Sequence, residues 1–137
     1  MDPLVQFLQG PRRNEWITDG PMRVYIRKAN HIIAGALIRT LDVASVSVDP
    51  DARRRGVFSL WLAGAEKLAR EQGLVVRVES ILNPHLSRFL SRRGYIRVPN
   101  TVPQQVDMYL PGDVRPDGLD ELAGDVEVEV LEVVADP

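Results

Sequence analysis

Residues 48–58 read Val48-Asp49-Pro50-Asp51-Ala52-Arg53-Arg54-Arg55-Gly56-Val57-Phe58, and the change of pattern across them decides the fold. Upstream, residues 43–48 are β-branched and serine-rich, as a strand is, and Asp49-Pro50-Asp51 breaks the run. Downstream, Val57, Leu60, Trp61, Gly64, Ala65 and Leu68 recur at helical spacing, with Lys67, Arg70 and Glu71 outside and Gly73 as a C-terminal stop. The spacing predicts a helix over 57–72 and a strand over 74–79. Strand, turn, helix, strand is a βαβ unit, whose strands lie parallel and adjacent and are joined by a right-handed crossover. The turn nominates an anion site: a helix N-terminus offers N–H donors and partial positive charge, Gly56 admits close approach, and arginine adds bidentate contacts. Three arginines are equally what a solvated basic turn contains, so the turn alone leaves both readings open.

Outward from this unit, residues 3–9 form a short helix with Leu4, Phe7 and Leu8 on one face, stopped by Gly10-Pro11. Residues 22–28 alternate as a half-buried strand does, and Ala29-Asn30 reads as the tight connection to a second strand over 31–39. Residues 84–93 read as a helix ended by Gly94, and 95–98 and 106–110 as late strands, so hairpins flank the βαβ unit and the sheet is mixed.

The 137 residues, 45% hydrophobic and 26% charged, suit one globular domain. With no cysteine, disulfides, thiolate zinc sites and a cysteine nucleophile are excluded. The longest apolar run, 32–38, falls far short of the ~20 residues of a membrane span, and residues 1–10 lack the pattern of an export signal, so the cytoplasm is the expected compartment. Ser45 and Ser47 have no histidine partner at any triad spacing, and His31 and His85 lie at no metal-binding spacing, so neither a hydrolase nor a metal site is expected. Trp16, Trp61 and Phe89 read as core or lid. Arginines 53–55, 88, 92, 93 and 97 offer a basic face, yet the pI of about 5.7 and the missing aromatic interleaving argue against nucleic acid.

From Val48 and Pro50 through Arg53-Arg54-Arg55-Gly56-Val57-Phe58, then residues 65–74, then Asn83 with its short helix and Gly94-Tyr95, the chain resembles the GNAT acyltransferase superfamily. About 75 residues, 22–95, follow that family's order of elements. The resemblance implies an α/β fold: a mixed, mostly antiparallel sheet with a central parallel βαβ splay and helices on both faces. It also implies acetyl-coenzyme A as cofactor. Its pantetheine arm would pair with the backbone of Val46, Ser47 and Val48, and its diphosphate would sit on the turn of Arg53, Arg54, Arg55, Gly56, Val57 and Phe58. Asn83 would touch the arm, and is also placed to cap the helix that begins at Pro84.

Two positions depart from the family pattern. Phe58 replaces a Gly or Ala, putting a bulky residue where the helix approaches the diphosphate, and Leu90 stands where many members carry a proton-donating tyrosine. For the base, Asp42 matches the place of a glutamate in the histone acetyltransferase branch, and Glu79 lies at the end of the parallel strand where ligands gather. Asp42 reads as well as a strand-entry turn residue, and Glu79 as the partner of Arg77 or Arg88. The expected function is acyl transfer to an amine on a small molecule or protein. The alternatives are a non-catalytic binding or assembly module, such as a phage structural or host-interaction protein, and a nucleobase-modifying transferase.

Composition shifts at Pro111-Gly112, dividing a domain over 1–111 from an acidic extension over 112–137. The first holds 16 of the 17 Lys and Arg and 10 of the 19 Asp and Glu, a balance of +6; the second holds one and nine, a balance of −8. Within the extension, Asp125-Val126-Glu127-Val128-Glu129-Val130 alternates strictly, so residues 125–134 are expected to dock as a strand, on this chain or on a neighbour in an oligomer.

Overall fold

A computed structural model describes residues 2–53, 55–81, 84–99 and 106–112. Helix α1 (Pro3–Gln9) precedes strands β1 (Asn14–Asp19), β2 (Met22–Ile33) and β3 (Ala36–Val48). A single 3-10 turn (Pro50–Ala52) leads to α2 (Val57–Glu71), then β4 (Val75–Ile81), α3 (Pro84–Arg92), β5 (Ile96–Arg97) and β6 (Val106–Tyr109). The six strands form one sheet in the order β1-β2-β3-β4-β6-β5. Only β3 and β4 are parallel; the α2 crossover between them is the βαβ unit read from residues 43–79. No described helix is long and apolar enough to cross a membrane.

The hairpin differs from expectation. β2 runs unbroken through Ala29 and Asn30, and the chain reverses at Ala34-Gly35, whose φ angles of 52° and 82° are the left-handed pair a tight two-residue hairpin turn requires. The 43–48 strand is therefore the end of a 13-residue strand, and Asp42 sits inside it rather than in a turn. β1, unassigned from sequence, pairs along its whole length with β2. β5 covers β6 over two residues only.

Alternation along the strands sorts the two faces. Val24, Ile26, Leu41, Val43, Val46, Val48, Val76, Val78 and Met108 are buried on one face, with Phe7, Phe58, Trp61, Leu62, Leu86 and Phe89 of the helices in the same core. The neighbouring positions Arg27, Asp42, Arg77 and Asp107 carry charge to the other face. Helices were expected on both faces. Among the described residues all three pack on the apolar one, because the other offers a helix no apolar stripe. Glu66 fastens α2 to the end of α3: Arg93 donates to Glu66 Oε1 at 2.6 Å and the Tyr95 hydroxyl to Oε2 at 2.7 Å, all three residues being buried.

Candidate functional site

β3 and β4 pair from Thr40–Val75 to Val43–Val78 and, among the described residues, no further. Each strand is bulged where the pairing stops. In β3, Val43 faces Ile26 and Ser45 faces Tyr25, so Ala44 is the extra residue. In β4, Glu79 and Ser80 intervene between the pairs Val78–Met108 and Ile81–Val106, Ser80 has φ 55°, and its N–H donates to Asp107 Oδ1 at 2.8 Å. Bulges bend and over-twist a strand, so two at one level make the neighbours diverge. The result is a cleft whose one wall is the backbone edge of 46–48, which has no β4 partner among the described residues and of which Arg53 takes only the Val48 carbonyl. Val46 and Val48 bury their side chains, leaving that edge to offer hydrogen bonds.

β3 delivers the chain from this cleft to the start of α2. Gly56, the residue preceding the helix, has φ 72° and no side chain with which to cap it. Arg53 donates from Nε to the carbonyl of Val48 at 3.2 Å, tying the turn to the strand end, while Arg55 is exposed. Phe58, expected to crowd this approach, is buried instead, its ring centroid 6.3 Å from those of both Trp61 and Phe89. Its bulk fills core and leaves the turn clear. Arg55 and Gly56 open onto a hollow of about 380 Å³ with Leu4, Met22 and Trp61 in its wall. Arg54 and Asn83 lie outside the described residues.

Asp42 and Glu79 are brought together, within a network of which sequence offered only the Glu79–Arg77 pair. Asp42 is fully buried: Oδ1 accepts from the Thr40 hydroxyl at 2.7 Å, and Oδ2 meets Arg27 Nε at 3.3 Å and His31 Nε2 at 2.9 Å. Glu79 Oε2 accepts from Arg27 and, at 2.6 Å, from Arg77, which also donates to Asp107 at 3.0 Å. Arg88 turns instead to His85 Nδ1 at 2.8 Å. Burial pulls the Arg27 guanidinium down, but Glu79 and Asp42 outweigh it and hold the group above the ordinary arginine value. Side-chain atoms of His31, Asp42 and Glu79 lie within 4.8 Å of one another, near enough to share a cation. The guanidiniums of Arg27 and Arg77 already occupy that place. Leu90, at the position of the missing tyrosine, is buried in the core, and Tyr95 spends its hydroxyl on Glu66.

No family model and no curated protein matches the chain. Among solved structures it is similar to a point mutant of the AtaT toxin bound to the C-terminus of the antitoxin AtaR and to acetyl-CoA, with TM-score 0.53 and 17% identity. That match covers 66% of this chain and 58% of the AtaT chain. It is similar also to the KacTA–DNA complex, with TM-score 0.56 and 14% identity over 80% of this chain and 79% of that one. The chain has the GNAT fold.

Proposed function

We propose that this chain transfers an acetyl group from acetyl-coenzyme A to an amine. The observation that carries the reading is the cleft between β3 and β4 opening onto the glycine-started N-terminus of α2. The backbone edge of 46–48 pairs with the pantetheine amides, adding a strand-like partner to an open edge. The diphosphate rests on the turn around Gly56, with Arg55 beside it. The AtaT structure, which holds acetyl-CoA in a chain of the same fold, supports this choice of cofactor.

The amine nitrogen attacks the thioester carbonyl, the C–S bond breaks, and coenzyme A leaves as thiolate. N–H groups along the cleft polarise the carbonyl. Glu79 is the carboxylate with partial exposure, 18% against none for Asp42, and takes the proton of the amine through water. Asp42, with its oxygens engaged by Thr40, Arg27 and His31, holds the arginines that orient Glu79. Leu90 has no proton to give, so the thiolate takes its proton from solvent.

A specific observation favours a second reading: both carboxylates are already bound to arginine, as in a binding module with no use for a base. A thiol-release assay separates the two, and the chain adds no thiol background because it has no cysteine. Acyl transfer predicts coenzyme A release that requires an added amine and falls in Glu79→Gln. Cofactor binding without release for alkyl amines, aromatic amines or peptide N-termini would leave the binding module.

A further inference from the structure

The end of the sheet opposite the cleft carries an unfinished surface. β3 begins four residues before its first pair with β4, Thr40–Val75, so residues 36–39 bond to β2 on one side and to no described residue on the other. An unpaired edge invites a further strand. Ile32 and Leu37, directly opposite one another on this arm, are 75% and 73% exposed. At the base of the arm lies a hollow of about 290 Å³ lined by Arg13, Lys28, Arg39 and Leu74. Lys28 is bonded to the carbonyls of Phe7 and Gly10, while Arg13 and Arg39 have no ion pair among the described residues.

The chain leaves the described fold at this same end. β6 runs antiparallel to β4, and Leu110 N–H bonds to the carbonyl of Val76, which carries the chain on past Leu74 toward Gly112. The 25 residues beyond Gly112 contain nine acidic residues and one arginine.

We propose that residues 125–134 of the same chain dock as a strand along the open edge at 36–39, their valines flanking Leu37 and extending the apolar face it shares with Ile32. The twelve residues between Gly112 and Asp125 reach about 40 Å when extended, ample for the return. Strict alternation puts Val126, Val128 and Val130 on one side of the strand, against Leu37, and the acids on the other, the side of His31. Lys28 and Arg39 share the face of Leu37, beneath the valines, so with Arg13 they act on the acids of the other side only through the positive field they give this end of the sheet. A second copy of the chain adding its own edge is the rival occupant.

Hydrogen exchange on the full chain tests this, with a synthetic peptide of residues 125–134 as the free reference. The proposal expects exchange in 125–134 slowed about tenfold or more, to the same extent at every protein concentration. In Leu37→Asp and in Arg13→Glu with Arg39→Glu, that protection falls while β1 to β4 stay protected. Exchange at the peptide rate in the unaltered chain overturns the proposal, as does protection untouched by both variants. Protection that grows with protein concentration overturns it in favour of the second copy.

Discussion

Glu66 is a buried carboxylate that joins α2 to the end of α3, and its role follows from its burial between Arg93 and Tyr95. Removing it breaks a buried ion pair with Arg93, which costs about 3–5 kcal/mol. Glu66→Ala should lower stability by that order in urea unfolding. Tyr95 donates to the same carboxylate, and its hydroxyl is raised well above the usual tyrosine value, by burial first and then by Glu66. The unfolded chain therefore loses the Tyr95 proton before the folded one does. The contribution is complete below pH about 10 and drains away as pH rises above it, so unfolding free energy should slope downward there. Absorbance titration should show one of the three tyrosines ionising late, together with unfolding. Leu90 answers a question the family pattern raises: because it is buried, Leu90→Tyr overpacks the core by about 1–3 kcal/mol and restores no acid. Denaturation and the thiol-release rate check both halves.

At the scale of elements, helices were legible and the long hairpin was not. α2 was read to within a residue because its apolar stripe and flanking glycines are local signals, and α1 and α3 for the same reason. In β2 the alternation fades at Lys28, where the strand stops covering core and begins to form an exposed arm, so Ala29-Asn30 mimicked a turn. The true turn places Ala34 at φ 52°, where a Cβ is unwelcome. Ala34→Asn supplies the preferred residue for that geometry and should raise stability by about 0.5–1 kcal/mol, a gain of a few degrees in Tm. A fall in Tm would mean the hairpin does not turn there. β1 escaped notice because it covers core with Ile17 alone among six residues.

Across the whole molecule, the site divides by sequence distance. The turn from Arg53 to Phe58 is contiguous, so its chemistry could be read directly, and Gly56 takes the left-handed backbone its role requires. The charged network is assembled by register from β2, β3, β4 and β6, with Arg27 meeting Glu79 from 52 residues away. No spacing rule announces such a cluster. The same is true of Phe58, whose bulk is a concern in one dimension and core packing in three. Whether the cleft and the Gly56 turn receive acetyl-coenzyme A is decided by calorimetric titration of the full chain with that cofactor. One saturable site per chain is expected, lost in Gly56→Trp while the melting transition stays cooperative. Titration to millimolar cofactor without binding heat at two temperatures, or equal affinity in Gly56→Trp, would contradict it.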